Sequence, residues 1–183
     1  MLKDILINTA EQKILSFLVS HPDKGFYGQE ISREIKVGKS AVNLALIKLW
    51  KNKILIREKR GRISIYSINS LYNSILNQFA VLNIILRLEL LTNKLQSISK
   101  KVILYGSYAK ARYTNESDLD LLVVSNKKKE VQDIIYEFQD KKDMPLIKPI
   151  IKLTVEWVSL EKKDPIFYNE VIKGIVLYDQ IYE

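Results

Sequence analysis

The sequence predicts an α+β protein in three parts, and three observations lead to this prediction. Residues 1–69 show helical apolar spacing followed by two alternating segments, residues 70–99 show one uninterrupted helical pattern, and residues 100–183 alternate strand and helix patterns. A length of 183 residues allows one or two domains. We therefore expect an N-terminal helical domain with a hairpin, a long connecting helix and a small C-terminal mixed α/β domain.

The N-terminal part begins with three predicted helices, over residues 10–19, 27–35 and 40–52. The first ends where Pro22 cannot continue a helix. The third follows Gly38, with Lys39 or Ser40 as its N-cap. Its apolar stripe consists of Val42, Ala45, Leu46 and Leu49.

Two alternating segments, residues 54–59 and 62–68, follow the third helix. They are rich in isoleucine and have basic residues at the point where they meet. Arg60 and Gly61 supply a turn between them, so the sequence predicts a β-hairpin with a basic tip.

Three helices followed by a hairpin resemble a winged helix-turn-helix domain. The resemblance implies that the third helix enters the major groove of double-stranded DNA and that the hairpin touches the backbone or the minor groove. Asn43 is then a candidate to read adenine, whereas lysines would contact phosphate or guanine. The candidate DNA-binding residues are Lys39, Ser40, Asn43, Lys48, Arg60 and Arg62. The alternatives are that the lysines only solvate a helix face, or that the domain binds a protein.

The positive charge is concentrated in this part of the chain. Residues 1–69 hold 13 Lys and Arg against 6 Asp and Glu, a net charge of +7, while residues 100–183 hold 14 of each. A skew of this kind indicates a polyanion partner for the N-terminal part alone.

The connecting segment, residues 71–98, contains neither glycine nor proline, and its apolar residues cover more than one helix face. Such a helix must be buried against more than its own domain. We expect it to pair two copies in a homodimer, because helix-turn-helix proteins usually read two half-sites. Burial between the two domains of one chain is the alternative.

The chain is expected to be cytoplasmic and to have no membrane partner. Its most apolar window, residues 79–91, is short and contains Arg87 and Glu89. The N-terminus lacks a secretory cleavage site, and the absence of cysteine is compatible with a reducing compartment.

The C-terminal part has a Gly-Ser turn at the end of one apolar run and an Asp-x-Asp pair at the start of the next. In a strand, Asp118 and Asp120 point to the same side, so their carboxylates converge. Hard oxygen ligands suit Mg²⁺ or Mn²⁺, and the turn at Gly106 and Ser107 lets backbone N–H groups approach phosphates. The alternative is a polar loop before a strand. Further patterns predict helices over residues 127–141 and 164–172, and a last strand over residues 174–178.

These segments carry a resemblance to the nucleotidyltransferase superfamily, especially its minimal stand-alone branch, which includes antitoxins. The family pattern is Gly-Ser-x-Ala-(Arg/Lys)-Gly, a short gap, and Ser-Asp-(Ile/Leu)-Asp-Leu. Here residues 106–111 read Gly-Ser-Tyr-Ala-Lys-Ala and residues 117–121 read Ser-Asp-Leu-Asp-Leu. Ala111 stands where the family usually has glycine. The resemblance covers roughly residues 100–180.

The resemblance implies a site for a nucleoside triphosphate, such as ATP, with Mg²⁺ or Mn²⁺. Asp118 and Asp120 would hold the metal, while Gly106, Ser107 and Lys110 would bind the nucleotide. The family adds a third carboxylate from a later strand, and the segment 150–160, rich in β-branched residues, predicts that strand. Its only acid, Glu156, is then the third ligand or the general base. A solvent-facing glutamate is the alternative.

Together the two resemblances imply a DNA-binding regulator fused to a nucleotidyltransferase. It would transfer a nucleotidyl group to an acceptor hydroxyl, for example on a partner toxin protein. Two alternatives stay open. The nucleotidyltransferase domain could only sense a nucleotide, or it could act on RNA or a small molecule.

Overall fold

A computed structural model of the chain describes residues 2–114, 116–139 and 144–180. It divides into two compact units, Met1–Asn83 and Ile84–Glu183. The division falls inside the long helix, whereas the sequence analysis assigned that helix to a segment of its own.

The first unit contains helices and a small antiparallel sheet with strand order β1-β3-β2. Its core is formed by fully buried Ile14, Leu18, Ile31 and Leu46, which come from three successive helices. The elements are α1 (Leu2–Leu6), α2 (Ala10–Val19), β1 (Phe26–Tyr27), α3 (Gly28–Ile35), α4 (Lys39–Lys51), β2 (Leu55–Arg60) and β3 (Ile63–Ile68).

The sequence analysis predicted neither helix α1 nor strand β1 of this unit. Phe26 and Tyr27 pair with Tyr66 and Ile65 of β3, so β1 is the third strand of the sheet and directly precedes α3. Two residues are too few to show alternation, which is why the prediction began that helix at Tyr27 instead of at Gly28.

The long helix α5 (Asn73–Gln96) crosses the boundary between the units. Ile84, Leu88, Leu91 and Leu95 lie at helical spacing in the core of the second unit. By length and composition alone, its stretch Ser74–Gln96 is apolar enough to cross a membrane. The helix continues beyond the apolar window of residues 79–91, which explains why it is long enough to pass this test. One such helix is weak evidence for a membrane span, because the core helix of a soluble protein passes the same test.

The second unit is a four-stranded sheet, order β6-β5-β4-β7, with helices packed on it. Strand β4 runs antiparallel to β5 and β7, and β5 runs parallel to β6. The elements are β4 (Lys101–Tyr105), α6 (Gly106–Ala109), β5 (Leu119–Val124), α7 (Lys128–Gln139), β6 (Ile147–Lys152), α8 (Thr154–Lys163), α9 (Pro165–Ile172) and β7 (Ile175–Asp179). The mixed α/β prediction is confirmed, and the last two residues predicted for the helix over 127–141 lie outside the described residues.

The predicted strand over residues 150–160 is correct for residues 150–152 and wrong beyond them. Strand β6 ends at Lys152, and the next residues form α8, whose first turn contains Glu156. The Glu156 carboxylate accepts a hydrogen bond of 2.6 Å from the backbone N–H of Leu153. This contact satisfies one of the N–H groups that a helix start leaves unpaired, so it overrides the strand preference of the β-branched residues.

Candidate active site

The structure brings the Gly-Ser turn and the Asp pair together at one end of β4 and β5. Tyr105, the last residue of β4, is the Cα partner of Asp120 in the antiparallel ladder. Gly106 therefore begins its turn directly beside the Asp120 side chain.

The Asp120 carboxylate rests on the Cα of Gly106. A Cβ at this glycine would collide with the Asp120 Oδ2 atom, and the backbone φ of Gly106 is +71°. Space and conformation both require glycine here, since other residues rarely adopt a positive φ. The Asp120 carboxylate thus occupies the space that a side chain at Gly106 would take, and we call this contact surface of Gly106 the seat of the carboxylate.

The electrostatic surroundings of Asp120 favour a bound cation. Partial burial, the Asp118 carboxylate and the Glu170 carboxylate raise the pKa of Asp120 above its usual value, while Lys148 lowers it. Desolvation and like charges disfavour the ionised form, and a divalent cation would relieve both effects. Glu170 belongs to α9, and sequence reasoning did not connect it with this site.

Lys148 is the other residue at the site that sequence reasoning missed. It is the Cα partner of Asp120 across the parallel β5–β6 ladder, and its Nζ lies 2.5 Å from Asp118 Oδ2. The register of a parallel pair joins residues far apart in sequence, so no local pattern signals this contact.

The remaining motif residues form the loop around the short helix α6. The Ser107 carbonyl accepts a hydrogen bond of 2.9 Å from the backbone N–H of Arg112. Between these residues, Ala111 has a φ of +50°, the left-handed conformation that glycine favours. The chain therefore keeps a glycine-like backbone at the position where the family usually has glycine.

Helix α9 places Glu170 near the motif loop. Lys110 Nζ lies 3.8 Å from Glu170 Oε1, and the Phe167 ring packs edge-on against Tyr105 at 5.8 Å. Burial, followed by the charges of Asp120 and Glu170, raises the pKa of Tyr105 to about 12. Lys110, a predicted nucleotide-binding residue, thus has an acidic neighbour in this structure.

Glu156 is not brought to the Asp pair. Asp120 pairs with Lys148, whereas Val124 pairs with Lys152 at the other end of the same two strands, and Glu156 lies beyond Lys152. The backbone N–H of Leu153, followed by Lys128, lowers the pKa of Glu156. The structure therefore gives this carboxylate a role in starting α8.

Two carboxylates can hold one hard cation if a substrate supplies further oxygen ligands. Asp118 and Asp120 form such a donor set, and the seat at Gly106 fixes one of them. In the part of the chain that the structure describes, no third Asp, Glu, His or Cys joins them in a metal-binding group. The residues present fit Mg²⁺ bound through one or two carboxylates and substrate phosphates.

The candidate DNA-binding residues lie on two elements of the first unit. Lys39, Ser40, Asn43 and Lys48 belong to α4, and Arg60 and Arg62 flank the hairpin tip. Two of them make ion pairs. Lys48 Nζ lies 2.7 Å from Glu11 Oε1, and Arg60 Nε lies 3.0 Å from Glu58 Oε1. Gly61 at the tip has a φ of +61°.

The family described as Polymerase beta, Nucleotidyltransferase matches residues 88–183, more than half of the chain. The chain belongs to this nucleotidyltransferase family. The family predicted from the Gly-Ser and Asp-x-Asp segments is confirmed, and the match includes the whole Asp118–Asp120 site.

Two proteins show more limited similarity to this nucleotidyltransferase. A Methanocaldococcus jannaschii protein named as a protein adenylyltransferase is 50% identical over 36 residues, which are 20% of this chain and 36% of that protein. The chain thus spans about a third of the length of this curated relative. The solved structure of a possible transcriptional regulator from Methanosarcina mazei Go1 has 20% identity and a TM-score of 0.35, covering 50% of this chain and 82% of that one.

Proposed function

We propose that the second unit transfers a nucleotidyl group from a nucleoside triphosphate, such as ATP, to an acceptor hydroxyl. The observation that carries this proposal is the Asp120 carboxylate seated on Gly106 with Asp118 beside it. It is supported by the family to which residues 88–183 belong.

In this proposal Asp118 and Asp120 hold Mg²⁺ or Mn²⁺ together with the phosphates of the substrate. The metal would neutralise negative charge on the attacking and leaving oxygens. Gly106 and Ser107 would let the backbone approach the triphosphate, and Lys110 would add positive charge beside it. Partial burial of Asp120 strengthens its electrostatic interaction with the metal.

We propose that the acceptor is a hydroxyl group on a partner protein. The relative from Methanocaldococcus jannaschii, named as a protein adenylyltransferase, supports this choice. A toxin encoded beside this chain would suit a regulator that also modifies its partner.

We further propose that the first unit is a winged helix-turn-helix domain that binds double-stranded DNA. Helices α2, α3 and α4 precede an antiparallel hairpin in it, and the hairpin tip carries Arg60 and Arg62. The net charge of +7 over residues 1–69 supports a phosphate-rich partner. Exposed Leu71, just before the long helix, and exposed Ile75, in its first turn, would support pairing of two copies.

One observation favours a second candidate, a regulator whose nucleotidyltransferase domain senses a nucleotide without transferring it. Within the described residues, no third acid joins Asp118 and Asp120 in a metal-binding group, and Glu170, the further acid whose charge reaches Asp120, lies 3.8 Å from Lys110. Two carboxylates can bind a metal–nucleotide complex, whereas activation of an acceptor would need a further base.

Calorimetry of ATP binding tests the site, with Mg²⁺ and with a chelator. We expect binding only with the metal, and we expect Asp118→Asn with Asp120→Asn to abolish it. Asp133→Asn, which changes an exposed aspartate on α7, is the matched control.

The ATP affinity should also fall on acidification. The pKa of Asp120 is raised, so its carboxylate is protonated at a higher pH than that of an ordinary aspartate.

Transfer is tested separately, by mass spectrometry of candidate partner proteins after incubation with ATP and Mg²⁺. A mass increase of one nucleotidyl group supports the enzyme. Metal-dependent binding without any transfer supports the sensor. Equal ATP affinity with and without metal would contradict the site itself.

A further inference from the structure

The Asp pair already has a cationic side chain beside it. Lys148 Nζ lies 2.5 Å from Asp118 Oδ2, and the Lys148 side chain is 61% exposed. The same lysine is the Cα partner of Asp120, so the sheet register fixes its backbone next to both carboxylates.

A metal bound by Asp118 would compete with this ammonium for the same carboxylate. An ammonium and a divalent cation a few ångströms apart repel each other, so a metal at Asp118 weakens the contact between that carboxylate and the Lys148 head group. Its exposed four-carbon stem is flexible enough to move, while its Cα stays anchored in β6.

We infer that Lys148 is a positioning residue for the triphosphate. In the metal-free protein it is the counter-ion of Asp118, and when the metal–triphosphate complex binds it exchanges that carboxylate for a phosphate oxygen. This inference rests on the proposed function, because it needs a triphosphate at the Asp pair.

A phosphate oxygen of the triphosphate is the group that the Lys148 ammonium would bind after it leaves Asp118. Lysine binds phosphate as a compact point charge with three donors. Because Lys148 starts beside Asp118, the phosphates that share the metal with Asp118 come within reach of a short movement of its side chain. If the Lys148 ammonium moved into water instead of to a phosphate, it would add nothing to the affinity for the nucleotide.

The exchange predicts opposite changes in two affinities when the ammonium is removed. Lys148→Ala should bind Mn²⁺ alone about threefold more tightly, because Asp118 loses a competing cation. The same variant should bind the Mg²⁺ complex of α,β-methylene ATP, a non-cleavable analogue, about tenfold more weakly, because a charge-assisted hydrogen bond to phosphate is lost.

Both affinities are measurable on the full chain. Electron paramagnetic resonance of free Mn²⁺ gives the first, and calorimetry gives the second. Lys148→Arg should restore analogue binding to within about threefold of the natural chain, since guanidinium also binds phosphate. Lys152→Ala, at the far end of the same strand, should change neither affinity. Thermal melting checks folding, and an exposed ion pair contributes little to it.

Each other outcome overturns the inference. If both affinities rise in Lys148→Ala, the lysine only competes with the metal. If both fall, its role is structural, and if neither changes, its contact with Asp118 has no part in binding. In all three cases the natural chain still binds the metal–analogue complex and the proposed function stands. If the natural chain does not bind that complex at all, the proposed function fails as well.

Discussion

Gly106 and Ala111 have left-handed backbones in the same motif loop, with φ values of +71° and +50°. A left-handed conformation costs a residue with a Cβ about 1–2 kcal/mol. The two positions nevertheless differ in their surroundings. A Cβ at Gly106 would meet the Asp120 carboxylate, whereas Ala111 carries its Cβ in the natural chain.

Gly106→Ala and Ala111→Gly should therefore change the stability of the fold in opposite directions. Gly106→Ala should destabilise the fold by about 1–2 kcal/mol and also displace Asp120, so that metal-dependent triphosphate binding is lost. Ala111→Gly should stabilise the fold by up to about 1 kcal/mol, because relief of strain exceeds the added freedom of the unfolded chain. Denaturant unfolding and calorimetry measure the two effects. Intact nucleotide binding in Gly106→Ala would show that the seat at Gly106 is unnecessary.

Among single residues, the sequence predicts those site residues that lie close together in the chain within one motif. Gly106 and the Asp pair were found because a short motif contains them. Lys148 was missed because only the β5–β6 register brings it to Asp118, and Glu170 was missed because it lies on a separate helix. Neither residue has a neighbour in the sequence that points to its role.

At the scale of elements, α8 shows how a capped helix start can be mistaken for a strand. Its beginning, Thr-Val-Glu-Trp-Val, is rich in strand-favouring side chains. Helix formation is decided instead by Glu156, which accepts a hydrogen bond from Leu153 N–H, and by Thr154, whose N–H donates to Asn126. The neighbouring α9 was predicted correctly, because Asp164 and Pro165 form a clear local start signal.

Glu156→Gln tests this assignment. The lowered pKa of Glu156 means that its charge stabilises the folded chain at neutral pH, and that this stabilisation is lost as the pH falls through the lowered pKa. The variant should therefore melt at a slightly lower temperature than the natural chain at pH 7, and the difference should shrink on acidification. ATP affinity should not change. A large fall in ATP affinity or in transfer, at unchanged stability, would show that Glu156 acts in the active site.

At the scale of the whole molecule, the two compact units differ in charge. The positive excess lies within residues 1–69, and residues 100–183 are neutral overall. The sequence alone shows this asymmetry, since it needs only the positions of charged residues. The division inside α5 needed the structure, because the helical pattern continues through residue 83 without a break.

The charge difference predicts which variants of the full chain weaken DNA binding. Arg60→Ala with Arg62→Ala should weaken binding to every duplex sequence and reduce the salt dependence, because fewer phosphate contacts release fewer counterions. Asn43→Ala should instead relax sequence preference, by about 1–3 kcal/mol if its amide pairs with a base. Fluorescence anisotropy on duplexes of different sequence, at several salt concentrations, separates these effects. Lys162→Ala with Lys163→Ala, at the end of α8, removes the same charge from the neutral unit and is the matched control. If this control weakens binding as much as the hairpin variant does, the affinity follows total charge and the first unit is not the DNA-binding domain.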